Sequence, residues 1–382
     1  MNSWHAIHSF IETSTGAFSP YESGGFAAYY YLLHQSSGEP ASYQKALALL
    51  SAQLADIERQ AATTTFEACH TNVVALAWAY HKLRPDLPPQ AATAVDRVDQ
   101  ILAAEAQKQG HGTADNAAAV LRSVRYFLAR LPDAAAATHL QELIEAAYQG
   151  TRKPLTQAPG HKATDLSMGS GLMGELLVLM DVHNAGISAA LLRDVVRQGI
   201  ALLLSTKGEV DFLAGRYSVF PVAIEPSGER RVTNQLSWAH GDLGASLVLY
   251  QARVVLDDAE LGTIADLVGL NTLLRKEERT TGLIDSRFGQ GTTGVACLYH
   301  RLYRLTSNPA YQRGHRFWLA QTEEYLTHEL ATGSYAPGPL CEALAVGVVL
   351  LGLGHEPALP DTYATATATL EPEGCGGRGT AC

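Results

Sequence analysis

The sequence predicts an all-α protein, an α/α toroid (barrel) of about seven helical hairpins with inner and outer helix layers. Two observations predict it. Long amphipathic segments alternate with shorter segments that are apolar all round, and a Gly-x-x-Gly pattern opens the apolar ones at a recurring interval. A helix with one apolar stripe belongs at a surface, whereas one that is apolar on every side must be buried on every side. Alternation of the two describes concentric layers.

The amphipathic segments run over 41–60, 91–107, 133–149, 188–205, 257–275 and 309–330, with apolar residues at i, i+3, i+4 and i+7. Asn308 followed by Pro309 marks a helix start, an Asn cap before a residue whose missing N–H is not needed in the first turn. The apolar segments begin in small residues, as in GLMGELLVLM from Gly171, GASLVLY from Gly244 and GTTGVACLYHRLY from Gly291. Three stretches align without gaps: SGLMG from Ser170, HGDLG from His240 and QGTTG from Gln290. Weaker copies start at Gly24, Thr71, Gly112 and Ala343. Positions 24, 71, 112, 171, 241, 291 and 343 are then equivalent, and each interval has room for one helical hairpin. The interval from 171 to 241 is the widest. It holds GRYSVFPVAIEPSGERRV, which predicts a short β-hairpin over 215–232 around a Pro226-Ser227-Gly228 turn. The toroid is expected to fill 1–360. Beyond it, 361–382 is a Thr-, Gly- and Cys-containing tail of low complexity.

The 382 residues are 17% charged and 47% hydrophobic, enough apolar surface for a large core and too much for a disordered chain. A net charge of −10 with no Lys/Arg cluster argues against a nucleic-acid partner. The longest nearly apolar run, 343–354, is too short for a membrane span. No basic n-region precedes an apolar core at the N-terminus, and the five cysteines are spread widely. Both features point to a cytoplasmic, reduced chain.

The repeat of Gly-x-x-Gly hairpins, with a Trp-x-x-Gly at Trp238, resembles the lanthionine synthetase C-like family over about residues 16 to 356. LSWAHGDLGASLVLY is similar to that family's W-C-x-G-x-x-G repeat, and FGQGTTGVA to its C-H-G-x-A-G repeat. MGSGLMGELLVL is similar to its A-H-G-x-x-G repeat, and LCEALAVGVVLL to its closing L-E-G-x-x-G. The resemblance implies a peptide substrate or precursor peptide, a dehydratase as partner, and modification of the thioether (lanthionine) type. Cyclases of the family bind one zinc through two cysteines and a histidine at the toroid's centre. The metal activates a substrate thiol for addition to a dehydrated Ser or Thr.

At those positions this chain departs. Ala239 and Gly289 stand in place of the two cysteines, Gln290 in place of the histidine, and Ser170 in place of the A-H-G histidine. Gln235 stands where active cyclases tend to carry arginine. None of these holds zinc as Cys and His do. The expectation is a degenerate zinc site and a protein that binds a peptide in its central cleft with lost or altered cyclisation.

Other residues just before the inner helices carry the remaining chemistry. Cys69 and His70 precede Thr71, His111 precedes Gly112, and His240 precedes Gly241, so a relocated zinc site is one reading. Against it stand a buried small cysteine and histidines that bond loop carbonyls. His240 and Asp242 are the candidate catalytic pair, a proton-transfer couple beside a ligand; the alternative for Asp242 is an acid stabilised at a helix start. Asp165 and Glu175 would add a second carboxylate, the arrangement of a metal-free toroid glycoside hydrolase. In the tail, Thr362, Thr365, Thr367, Thr369 and Thr380 lie near Cys375 and Cys382, the two residue types a thioether joins.

Overall fold

The structure, a computed structural model, describes residues 3–14, 23–60, 73–109, 117–131, 133–148, 163–169, 171–335 and 341–354. The tail, together with Cys69, His70, His111 and Ser170, lies outside the described residues.

In chain order the helices begin with α1 (Ser3–Ser14), α2 (Ser23–Ser37), α3 (Pro40–Gln60), α4 (Val73–Leu83) and α5 (Gln90–Gln109). They continue with α6 (Ala117–Ala129), α7 (Ala134–Tyr148), α8 (Leu172–Asn184), α9 (Ala189–Ser205) and α10 (Asp242–Leu256). The last are α11 (Ala259–Thr272), the single turn α12 (Glu278–Thr281), α13 (Thr292–Thr306), α14 (Pro309–Thr332) and α15 (Cys341–Gly354).

Helices α2, α4, α6, α8, α10, α13 and α15 form the inner ring: each packs on the next, and α15 packs back on α2. Their sequences explain the position. Val73 to Tyr80 of α4, Leu172 to Met180 of α8 and Asp242 to Tyr250 of α10 are buried without a break, so no face is left for solvent. Helices α3, α7, α9, α11 and α14 each pack outside the inner helix that precedes them, and α5 packs on α6. The seventh outer place is taken by α1, which packs on α14 and α15. The amphipathic pattern had supplied six outer helices, and the chain's first helix completes the circle by meeting its last. Asn308 caps α14 as expected, its Oδ1 accepting the Ala310 N–H at 2.9 Å ahead of Pro309.

The insertion between α9 and α10 carries β2 (Ala223–Ile224) and β3 (Arg230–Arg231), paired Ala223 to Arg231 and Ile224 to Arg230 across the Pro226-Ser227-Gly228 turn. Its strands are only two residues long. A third strand, β1 (Thr164–Asp165), pairs antiparallel with β2 and ties the insertion to the loop before α8.

The Gly-x-x-Gly motif has a steric cause. A Cβ on Gly294 would lie 2.1 Å from the Phe288 carbonyl oxygen and 2.5 Å from the Trp238 Cβ. At the same place in the preceding aligned repeat but one, a Cβ on Gly174 would meet the Met168 carbonyl oxygen at 2.2 Å. Gly241 adds a conformational reason, with φ at +108° and the Gln235 carbonyl oxygen 2.4 Å from its missing Cβ. Gly294→Ala is therefore expected to cost about 3 kcal/mol in urea unfolding, the upper end of overpacking penalties. A loss within about 0.5 kcal/mol would show that the inner-helix start is not held by this close approach.

Candidate functional site

The loops that lead into α8, α10 and α13 are joined by main-chain hydrogen bonds. Met168 N–H donates to the Ala239 carbonyl at 2.9 Å, and Ala239 N–H donates to the Gly289 carbonyl at 3.0 Å. Each loop is shaped by the residue six positions before its first glycine. Asp165 accepts the Ser167 N–H at 2.8 Å and its hydroxyl at 2.9 Å, and Asp285 accepts the Arg287 N–H at 3.0 Å. These are side-chain turns that bend the backbone back toward the helix. The sequence carries this signal as D-x-x-x-G-x-G at 165–171 and 285–291, which motif reading passed over. Gln235 holds the same slot before α10. Its side-chain amide instead crosses to the next loop and donates to Gln290 Oε1.

Ala239, Gly289 and Gln290 thus meet at one point, and their chemistry is neutral. Ala239 and Gly289 are buried. Trp238 beside them is fully buried, tilted against Phe288 with ring centroids 5.7 Å apart. His240 is partly buried. Its N–H bonds the Ser237 hydroxyl at 3.1 Å, and its Nδ1 has no hydrogen-bond partner among the described residues.

Asp242 does not point with His240; the two side chains share no hydrogen bond. The carboxylate of Asp242 is fully buried. It accepts the Val219 N–H with both oxygens at 3.0 Å and the Phe220 N–H at 3.1 Å. Arg275, also buried, approaches it at 3.5 Å. That guanidinium further donates to the Thr280 carbonyl at 2.9 Å and to the Asn234 carbonyl. Burial pushes the Asp242 carboxyl above its ordinary range, against the pull of Arg275 and the two amides. The arrangement fastens residues 217–234 of the insertion to the start of α10. Of the other carboxylates, Asp165 serves its loop turn, and buried Glu175 accepts the Tyr148 hydroxyl at 2.8 Å, between α8 and α7.

A site for zinc must supply thiolate, imidazole or carboxylate donors. Alanine and glycine offer no side-chain donor, and Gln290 offers a carboxamide, so the residues at the convergence point do not fit the metal. Among the described residues no group of three His, Cys, Asp or Glu side chains is placed to hold one. Nor is any helix among them long and apolar enough to cross a membrane.

A closed ring of inner helices inside a ring of outer ones, with glycine-hinged loops meeting at one end, defines an α/α toroid. The family model for lanthionine synthetase C-like proteins matches residues 4–338, and the chain belongs to that family. The match reaches further toward the N-terminus than the motifs did, because it takes in α1. Among solved structures, nisin cyclase aligns over 95% of this chain and 97% of its own with a TM-score of 0.74. The two are 12% identical, so the likeness is one of fold. No curated protein matches the chain.

Proposed function

We propose that this chain binds a peptide in its central cleft, as part of thioether-type peptide modification, and that it does not run zinc-thiolate cyclisation at its family's usual place. One observation carries the reading. The positions that hold the ligands in family cyclases come together here through the Ala239–Gly289 main-chain bond, and none of them bears a donor for the metal. The architecture is kept while the metal chemistry is removed. Such a protein acts beside a dehydratase as a companion that binds or presents the peptide. Asp242, already engaged by two amides and Arg275, fits a positioning residue for the insertion better than a proton-transfer group.

Metal analysis of the purified protein tests this. The expected content is well below one zinc per chain, unchanged when Cys69→Ser or His111→Ala is introduced. A tightly held zinc that disappears with either substitution would establish the relocated site instead. Thioether formation by the zinc-free protein on a dehydrated, Cys-containing peptide would overturn the companion role. Cleavage of a glycan that is lost in Asp242→Asn at unchanged stability would favour the glycosidase.

A further inference from the structure

The inner wall contains a buried cation whose counter-ion is missing from the described residues. Helix α6 is apolar along most of its length, yet Arg125 sits in its middle and is only 5% exposed. One donor, Nη2, reaches the Gly169 carbonyl at 3.4 Å, a long bond. Nε is buried with no partner among the described residues. Among the described residues Nη1 has no partner either, but unlike Nε it is not sealed from solvent, so the guanidinium keeps one open edge. No carboxylate lies within ion-pairing distance among the described residues; Asp181 attracts it from further away, and Arg122 opposes. Burial pushes the guanidinium down to about 10, which leaves it charged at neutral pH.

Two other arginines show what this protein does with a buried guanidinium. Arg130 is 4% exposed and holds Asp99 at 3.1 Å, and Arg275 is 1% exposed and holds Asp242 at 3.5 Å. A buried charge is tolerated when it is paired and costly when it is not. Among the described residues, Arg125 alone of these three lacks its acid. Its location supplies the reason. Gly169 adjoins Met168, whose N–H bonds the Ala239 carbonyl, so the guanidinium lies one residue from the point where the metal-ligand positions of the family meet.

We propose that Arg125 is the base of an anion subsite in the central cleft, and that it takes a carboxylate of the bound peptide. A protein-borne positive charge then stands beside a site that has lost its donors for a metal ion. A single guanidinium with one open edge suits a monoanionic carboxylate. Two sources share that chemistry: the peptide's C-terminus and an Asp or Glu side chain. The inference rests on the reading of the cleft as a peptide site, and the experiment separates the two.

Binding is read by fluorescence anisotropy with a labelled Ser/Thr/Cys peptide in three forms: acid-free with a free C-terminus, acid-free and amidated, and amidated with one internal Glu. The wild-type protein is expected to bind the amidated acid-free form about tenfold more weakly than at least one charged form, a loss typical of a hydrogen bond to a charged group. Whichever charged form recovers the affinity identifies the source. Arg125→Met should bind all three alike, and Arg125→Lys should retain part of the discrimination. The ligand-free Arg125→Met protein should also melt no lower than wild type, because an unpaired buried charge has been removed; a purely structural arginine would give a lower Tm. Equal binding of all three forms by the wild type, or discrimination that survives in Arg125→Met, would overturn the subsite. If no peptide binds at all, the peptide reading fails. Acetate then tests the subsite by itself: a rise in Tm over chloride at equal ionic strength, absent in Arg125→Met, would sustain it, and no rise would end it.

Discussion

Installing Ala239→Cys, Gly289→Cys and Gln290→His together is expected to give a protein that binds about one zinc per chain at this point. The reason is geometric. The Ala239 N–H to Gly289 carbonyl bond of 3.0 Å holds the two loops side by side, and two thiolates around one zinc need side chains that close. Gly289 is not among the glycines at positive φ, so a cysteine can take its backbone conformation. Both positions are buried, which favours a site shielded from competing water. The third change removes Gln290, and with it the carboxamide that Gln235 now engages. Three protein ligands leave a fourth position open, as in catalytic zinc sites. Metal content after gel filtration, and the thiolate-to-metal absorption of the cobalt-loaded protein, are the readouts. Each single substitution should bind far less metal than the triple. A folded triple variant without zinc would mean that these positions do not converge, which would undercut the reading of this site from the loop hydrogen bonds.

The fold was largely legible because burial leaves a mark on every residue of a helix. The runs at Leu172–Met180 and Leu243–Leu249 are apolar but for Glu175 and Ser246 and leave no polar face, and they prove to be inner helices. The glycine spacing was legible for the same reason: the close approach of Phe288 and Met168 carbonyls admits no side chain at 294 and 174. The place of α1 was not, since nothing local says that the first helix of the chain packs on the last. The missing donors at 239, 289 and 290 could be read from the motifs alone. Their neighbours' roles could not. Asp242 looks like a helix-start acid in sequence, yet its partners Val219, Phe220 and Arg275 lie more than twenty residues away. Arg125 looks like one more polar residue of a helix; only the packing of α6 against the loop at Gly169 shows it to be buried and, among the described residues, short of an acid.

Replacing Arg275 by methionine is expected to destabilise the protein by about 3–5 kcal/mol, the usual cost of stranding one member of a buried ion pair. Asp242 would remain wholly buried with two amide N–H donors and no cation. The Asn234 and Thr280 carbonyls would also lose their donor, so both ends of the clamp on the insertion would open. Urea unfolding measures the loss. Limited proteolysis at Arg230 and Arg231, both exposed, reports whether the insertion is released before the toroid unfolds. The pH dependence has a definite sign. Burial already holds the Asp242 carboxyl above its ordinary value, and loss of the Arg275 charge removes the strongest opposing influence. A raised folded-state value means that the folded protein binds the proton more readily than the unfolded chain, so stability falls as pH rises through that interval. The deficit of Arg275→Met should therefore shrink as pH falls from about 7 to about 5. Adding Asp242→Asn to Arg275→Met removes the stranded charge, and part of the stability should return with no remaining pH trend from this pair. A deficit that is the same at every pH, or a double variant no more stable than Arg275→Met, would show that Asp242 and Arg275 do not act as a buried pair.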